Sequence, residues 1–352
     1  MPTHPYFERK LKQIEVGRKG IAALLDEMAQ TGFQGRRLGE AFDVWREMLT
    51  TDDLTIYLGY AGSMSTTGMW KIICWLIENR FVDVLVSTGA NVSEDLLEAL
   101  GGNYWQGSAE VNDADLFEHK IDRFYDVYVD EMEYRRMEEF VERFAHELEP
   151  NRPYSSREFL YLFGKKLADM NIRCILSTAY QHGVPVFCPA MVDSGYGIAL
   201  TLARRDGHHV VIDGVKDADE FTRVAERAKE TGVIYLGGGV PKNFTQQVAV
   251  VLSLLGTEAA DRPHRYAVQL TTDSPQWGGL SGCTFDEAVS WGKIAVEGRH
   301  VACYCDTTIA LPIIVHALHE TVPRRKRHPT FDWLVRGDEM SATVRRTRGA
   351  RA

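Results

Sequence analysis

Short apolar runs alternate with longer amphipathic segments over most of the chain. The runs are rich in β-branched and aromatic residues and are nearly continuous, as is typical of strands covered on both faces. Because helical segments separate them, the pattern predicts an α/β fold with a doubly wound, mostly parallel sheet. The predicted strands are Leu54–Leu58, Val82–Val86, Arg173–Leu176, Val184–Phe187, His209–Ile212, Val233–Leu236, Tyr266–Leu270 and Val301–Tyr304.

Helix signals and charge divide the chain into segments. Ser155 with Glu158, and Thr284 with Glu287, have the spacing of a capping box. Residues 1–50 are predicted to be an N-terminal helical segment, and residues 51–322 an α/β domain. The charged and aromatic stretch 112–150 is predicted to be a helical insertion in that domain, and residues 323–352 a basic C-terminal tail. Apolar residues that suggest a helical stripe near the N-terminus are Leu11, Ile14, Val16, Ile21, Leu24 and Leu25.

Composition narrows the class of protein. The 352 residues are 45% hydrophobic and 25% charged, which is ordinary for a soluble globular protein, and the net charge of −9 argues against a nucleic-acid binder. We expect no membrane span, because no stretch offers about 18 uninterrupted apolar residues. The N-terminus lacks the layout of a secretory signal, and the six cysteines are scattered. A reduced, cytoplasmic compartment is therefore expected.

Small and hydroxyl-bearing residues follow three of the predicted strands, in residues 59–68, 87–91 and 237–242. Ligands of a doubly wound sheet bind beyond the carboxyl ends of its strands, where backbone N–H groups and helix N-termini favour a pyrophosphate. One such loop without a P-loop or a clean G-x-G-x-x-G motif is more often an ordinary turn, but three together predict a nucleotide site. Asp193 and Asp306 follow other strands, and each could equally contact a ribose or cap a helix.

The segment Thr284–Ile294 carries the most informative pattern. On a helix, Glu287 and Trp291 share a face, and Gly292 would end the helix and place Lys293 beside the aromatic ring. A nucleophilic lysine must be neutral, which burial or a nearby positive charge favours. Glu287 could then steer a cationic amine or move its proton. A lone lysine is usually only a surface charge, so this pattern needs independent support.

Metal-binding patterns are weak. The run His316-Ala317-Leu318-His319-Glu320 has neither order of the known zinc-protease helices, and Cys303 and Cys305 have no second pair. Core or surface positions are the favoured interpretation of both patterns, and we expect no metal in the site.

Several of these motifs resemble the deoxyhypusine synthase family, over about Gly32 to His319 with an interruption at 112–150. The segment 286–294 is the longest and most specific of them. The motifs are Leu58-Gly59-Tyr60, Val82-Asp83-Val84-Leu85-Val86, Glu94-Asp95-Leu96, Gly237-Gly238-Gly239 and Asp286-Glu287-Ala288-Val289-Ser290-Trp291-Gly292-Lys293-Ile294.

The resemblance implies a Rossmann-like fold, NAD as cofactor, and a homotetramer with active sites between subunits. It also implies oxidation of spermidine and transfer of its aminobutyl group through an imine on Lys293, with Glu287 and Trp291 lining the amine channel. Asn243 and Gly278 match further amine-binding positions. The residues matching cofactor positions are Gly62, Ser63, Met64, Ser65, Thr66, Thr88, Gly89, Ala90, Glu94, Asp193, Gly238, Thr272, Asp273, Asp306 and Thr307.

Three departures from the family pattern concern the amine. Asn243 replaces a histidine, Ile198 replaces an aspartate, and the family's Gly-Ser-Asp triplet becomes Gly278-Gly279-Leu280, preceded by Trp277 in place of an acid. Leaving a polyamine nitrogen unpaired in a closed channel costs on the order of a few kcal/mol. The departures therefore predict an altered amine-binding site beside an unchanged lysine and an unchanged cofactor site.

Three functions remain open from the sequence. The first is an NAD-dependent transferase whose acceptor is a small diamine, giving a homospermidine-like product. The second is a non-catalytic NAD-binding member that kept the fold and lost the chemistry. The third is transfer to a protein lysine, which requires a partner carrying that lysine.

Overall fold

The computed structural model describes Phe7, residues 9–260 and residues 262–335. Its strands are two to eleven residues long. They are β1 (Leu54–Tyr60), β2 (Val84–Ser87), β3 (Tyr104–Gln106), β4 (Ile121–Phe124), β5 (Val127–Asp130), β6 (Pro153–Tyr154), β7 (Val186–Phe187), β8 (Val211–Ile212), β9 (Glu230–Leu236), β10 (His264–Thr271) and β11 (Ile294–Tyr304).

Helices precede, connect and follow these strands. Among the described residues, no helix has both the length and the apolar character needed to cross a bilayer. The helices are α1 (Ile21–Met28), α2 (Phe33–Thr50), α3 (Trp70–Glu78), α4 (Gly89–Ser93), α5 (Asp95–Ala99), α6 (Asp113–Glu118), α7 (Glu131–Ala145), α8 (Ser156–Asp169), α9 (Ile175–His182), α10 (Gly195–Arg205), α11 (Gly214–Arg227), α12 (Gly239–Leu255), α13 (Phe285–Ser290), α14 (Thr307–Thr321) and α15 (Asp332–Val335).

The central sheet has six parallel strands in the order β11-β10-β9-β1-β2-β7. Strand β1 lies in the middle, with Tyr57 opposite Val84 on one side and Val233 on the other. All seven residues of β1 are buried, as their continuous apolar sequence predicts. The prediction of a doubly wound α/β fold with a mostly parallel sheet is confirmed.

Two apolar layers cover the faces of this sheet. Alternate residues of β1 point to opposite faces, so Ile56 and Leu58 join one layer and Tyr57 joins the other. The first layer includes α2, α3, α9 and α14, and the second includes α11, α12 and α13. These layers therefore leave the amino and carboxyl ends of the parallel strands uncovered.

One predicted strand, Arg173–Leu176, is wrong, because this stretch begins helix α9. The Cys174 sulfur accepts a contact from the Ser177 amide at 3.5 Å, and the Ser177 hydroxyl accepts from the Cys174 amide at 2.9 Å. The buried Asp95 carboxylate also accepts the Ile175 amide at 2.6 Å. These local caps outweigh the β preference of an apolar run.

The predicted insertion is only partly helical. Strands β3, β4 and β5 form an antiparallel sheet, with β4 and β5 joined by a tight turn at Tyr125-Asp126. Strands β4 and β5 pair through this turn, in which Tyr125 has a φ of 56°. Residues 9–20 are also not helical, and Val16 is fully exposed.

The predicted basic C-terminal tail contains two basic tracts, 324–327 and 345–351, and the first of them is partly buried. Arg325 is 7% exposed, and its guanidinium donates to Asp83 Oδ2 at 2.7 Å and to the Leu54 carbonyl oxygen. Asp83 Oδ2 also accepts the Ile56 amide at 2.8 Å. This buried pair fastens the chain after α14 to the amino ends of β1 and β2. The second tract, 345–351, lies outside the described residues.

We predict that Arg325→Met lowers the free energy of unfolding by about 3–5 kcal/mol, because it leaves the Asp83 carboxylate buried without its partner. Urea unfolding followed by circular dichroism would measure this change. Arg327 is the matched control, since its side chain is 79% exposed near Asp52. Arg327→Met should change stability by less than about 1 kcal/mol. Equal losses in the two variants would contradict the structural role of the buried pair.

Candidate functional site

A cavity of about 560 Å³ opens at the carboxyl edge of the central sheet. The loops that follow β1, β2, β9, β10 and β11 form its walls, together with the segment before α10. Most of the predicted cofactor positions line it. They are Gly62, Met64, Thr88, Gly89, Asp193, Gly238, Thr272, Asp273, Asp306 and Thr307.

The other predicted cofactor positions lie outside this lining. Ser65 and Thr66 are buried, and Ala90 follows Gly89 in helix α4. The Ser63 hydroxyl donates to Glu94 Oε2 at 2.5 Å. Ser63 and Glu94 thus connect the loop after β1 to the helices after β2. In this single chain these residues support the wall of the cavity.

Asn91, which the sequence analysis assigned no role, joins the first two loops. Its side-chain oxygen accepts the Met64 amide at 2.7 Å, and its side-chain nitrogen donates to the Ala61 carbonyl and to Thr88 Oγ1, each at 3.0 Å. The side chain is fully buried. An asparagine in the loop of residues 87–91 was the available signal, since it offers both a donor and an acceptor.

Three helices of eleven or more residues begin at the cavity: α10, α12 and α14. Their N-termini direct partial positive charge toward it, and α12 has no side-chain cap, which favours an anion. At Gly238 a Cβ atom would collide with the Leu280 carbonyl oxygen, so only glycine lets the two loops approach this closely. The cavity is therefore suited to phosphate groups.

The structure separates the two aspartates whose roles were left open. Asp306 is the N-cap of α14 and accepts the Thr308 amide at 2.7 Å. Asp193 is not a cap, because the neighbouring Ser194 caps α10 by accepting the Tyr196 amide at 3.3 Å. Both side chains still border the cavity.

The segment after β10 presents Lys293 as its pattern predicts. Thr284 caps α13 by accepting the Glu287 amide at 3.0 Å, and Gly292, with φ of 67°, ends the helix in a left-handed conformation. The Lys293 Nζ then lies 5.3 Å from the ring centroid of Trp291, over the face of the indole. Trp291 itself is 62% exposed.

The predicted catalytic and amine-binding positions do not line the cavity within this chain. Glu287, Trp291, Asn243 and Gly278 are exposed, and Lys293 is half-buried. Asn243 contacts Gln247, one turn along α12, at 3.3 Å. Of the residues that depart from the family pattern, Leu280 does border the cavity. The cofactor positions and the lysine therefore form two neighbouring groups in a single chain.

Lys242 is a second lysine of the site that the sequence analysis did not single out. It is 2% exposed, and its ammonium donates to Gln269 Oε1, the Ser281 carbonyl and the Cys283 carbonyl at 2.6–2.8 Å. Burial lowers the pKa of Lys242 to about 8, and repulsion by Lys293 contributes less. The side chain ties α12 to the loop that leads into α13.

Two adjacent acids lie buried behind the cavity. Burial raises the pKa of Glu94, although Ser63 and Tyr134 donate hydrogen bonds to it. Burial also raises the pKa of Asp95 to about 7, and its Oδ1 has no hydrogen-bond partner. Tyr134 belongs to α7, so the insertion contacts the support of the cavity.

The fold and the cavity define a doubly wound α/β protein with a phosphate-receptive pocket at the carboxyl edge of its sheet. The model of the family described as deoxyhypusine synthase matches residues 23–318, and the chain belongs to this family. The resemblance noted in the sequence is thereby confirmed. Membership makes the chain a transferase of aminobutyl groups, for which the family uses spermidine.

Curated relatives support this assignment. The chain is 49% identical over 323 residues to "Probable deoxyhypusine synthase 2" of Methanosarcina mazei, covering 91% of this chain and 93% of the relative. It is 41% identical over 305 residues to "Probable deoxyhypusine synthase 1" of the same organism, covering 87% and 92%. A solved structure, a candidate deoxyhypusine synthase from Entamoeba histolytica, has the same fold, with a TM-score of 0.61, 19% identity and coverage of 86% and 93%.

We predict that Asp95 makes the protein less stable as pH rises from about 4 to 7. The unfolded carboxyl releases its proton near its ordinary pKa of 3.8, whereas the buried one keeps it until about 7. Asp95→Asn should therefore flatten this part of the stability profile by roughly 2–4 kcal/mol. Urea unfolding at pH 5 and pH 8 would measure the difference. Asp126→Asn, at an exposed turn, is the control, and identical profiles for both variants would refute the prediction.

Proposed function

We propose that the protein is an NAD-dependent transferase that moves an aminobutyl-type group from a polyamine, through an imine on Lys293, to an acceptor amine. The observation that carries this proposal is the presentation of Lys293 over the Trp291 ring by the Gly292 turn, in a member of the deoxyhypusine synthase family. Its Nζ lies over an aromatic ring, and no other described residue forms an ion pair that would fix it as a surface charge.

The cavity fits a dinucleotide. Its volume, its glycine at the closest approach of two loops, and the three helix N-termini at its wall suit a pyrophosphate. Asp193 is exposed there and does not cap a helix, so its carboxylate is available to a ribose hydroxyl. When bound, NAD would take up a hydride from the amine and return it after the transfer.

Lys293 supplies the covalent step. Once it has lost its proton, its Nζ adds to the electrophilic carbon of the oxidised amine, and the carbon–nitrogen bond to the departing diamine breaks as that diamine takes a proton. The acceptor amine then adds to the same carbon and displaces the lysine nitrogen. Glu287, one helical turn from Trp291, is placed to attract the cationic ends of these amines, and the exposed Trp291 face can hold an ammonium group.

A second copy of the chain completes the site. Lys293 and the cavity are separate within one chain, and the surface around them exposes Trp277 and Leu280 at 79% each and Trp291 at 62%. Exposed apolar groups of this size favour a protein interface. This supports the homotetramer with shared active sites that the family resemblance implies.

The amine-binding positions are where this chain departs from the family pattern. Ile198 and Leu280 stand where the family pattern has acids, and Leu280 borders the cavity. The chain is also more similar to the second than to the first of two relatives from one organism. A small diamine acceptor, with a homospermidine-like product, is therefore the form of the reaction we favour. Transfer to a protein lysine is the alternative that requires a separate acceptor protein.

We expect borohydride to trap a covalent adduct on Lys293 when the protein is incubated with NAD and a labelled di- or triamine. Peptide mass analysis would locate the adduct. Lys293→Arg should lose it entirely, because a guanidinium does not form the imine, while Lys326→Arg should retain it. Absence of an adduct with every common polyamine would favour the second candidate, a non-catalytic NAD-binding protein.

We further expect two inactive variants to complement each other. Lys293→Ala removes the nucleophile, and Thr272→Trp fills the cavity from an exposed position at its wall. Co-expressed with different tags and purified through both, the pair should regain activity, since one site in each mixed pair keeps both intact parts. Each variant alone should stay inactive. A mixed assembly without activity would contradict a shared site.

A further inference from the structure

A group of three potential metal ligands lies away from the cavity, where the insertion meets the main domain. It comprises Glu142, His146 and Asp206, and one ligand atom of each lies within 4.8 Å of the other two. Glu142 is half-buried, and His146 and Asp206 are exposed. The group combines an imidazole with two carboxylates, so it is more than a patch of acids.

Helix geometry accounts for this arrangement. Glu142 and His146 are four residues apart at the end of α7, where His146 is the C-cap, so they share one helix face. Asp206 is the C-cap of α10, the helix that packs beside α7. Near the other end of this contact, Met137 lies 3.4 Å from the position that a Cβ of Gly195 would occupy. The two helices therefore run in the same direction and bring their C-terminal ends together.

The side chain of His208 strengthens the ligand set. Its ring centroid is 4.9 Å from that of His146, and its Nε2 lies 3.0 Å from the Leu148 carbonyl oxygen. A carbonyl oxygen only accepts, so Nε2 is the donor, and in the neutral imidazole Nδ1 then keeps its lone pair. A histidine whose second nitrogen is held by a carbonyl is the usual arrangement around a zinc ligand.

We propose that Glu142, His146 and Asp206 bind one divalent transition-metal ion of the zinc class, with His208 beside them. Zinc takes histidine nitrogen and carboxylate oxygen at about 2.0–2.2 Å, so the three ligand atoms must approach to roughly 3–4 Å of one another. Exposed side chains at helix ends reach this spacing by changes of rotamer. The ion neutralises two carboxylates that otherwise face each other.

The position of this site gives the ion a structural role. Helix α7 carries Tyr134, which contacts Glu94 behind the cavity, and α10 starts directly after Asp193 at its wall. The metal would join the C-terminal ends of the two helices. The C-terminal end of α10 lies roughly 16 Å from its N-terminal end at the cavity. The ion thus braces the insertion against the domain and is separate from the transfer chemistry of Lys293.

The test is zinc binding by metal-depleted, full-length protein prepared without a polyhistidine tag. Equilibrium dialysis followed by elemental analysis should find one zinc per chain, and zinc should raise the melting temperature. His146→Ala and Asp206→Asn should each weaken binding at least tenfold and remove the thermal shift. Two variants are used because a folding defect in one would not explain a loss in both.

His119→Ala is the matched control. His119 also lies in the insertion, exposed and 3.4 Å from an aspartate one helical turn away, but it is not part of the group of three. This variant and Lys293→Ala should bind zinc as the wild type does. Cobalt(II) should show visible bands without the near-ultraviolet absorption of a thiolate ligand. Failure of the wild type to bind zinc, undiminished binding by His146→Ala, or a thiolate band would overturn the proposal.

Discussion

The parallel arrangement of the central sheet is the constraint on which the site depends. Because all six strands run the same way, the loops that follow β1, β2, β9, β10 and β11 emerge at one edge, although they are far apart in sequence. Helices that start there turn their positive ends to the same space. An anion-receptive cavity therefore arises from topology, before any particular side chain is considered.

Buried polar groups link chain segments at the amino ends of the strands and in the loops around the cavity. Arg325 and Asp83 close the amino ends of β1 and β2, while Asn91 and Lys242 join loops at the carboxyl ends. Each of these groups makes at least two hydrogen bonds, which offsets the cost of burial. Lys242 and Lys293 show the contrast clearly. Lys242 donates hydrogen bonds to three acceptors, whereas Lys293 lies over an aromatic ring near the surface.

Elements with a strong local pattern were predicted well. The buried strands β1, β9 and β10, the caps at Ser155 and Thr284, and the turn at Gly292 all follow from residue type and spacing. Failures arose where a distant group decided the outcome. Arg173–Leu176 became helical partly through Asp95, eighty residues away, and Arg325 of the predicted basic tail is buried against Asp83. Periodicity carries no information on such partners.

The sequence by itself determined the α/β class, the family, the lysine after the Trp-Gly step and most positions that border the cavity, because each depends on local patterns or on motifs. Only the tertiary structure decided which of these residues meet. It showed that Asp306 caps a helix and that Asn91 and Lys242 link neighbouring loops by hydrogen bonds. It also placed Lys293 outside the cavity of its own chain. It also brought α7 and α10 together at Glu142, His146 and Asp206, since contacts between distant segments are set by packing.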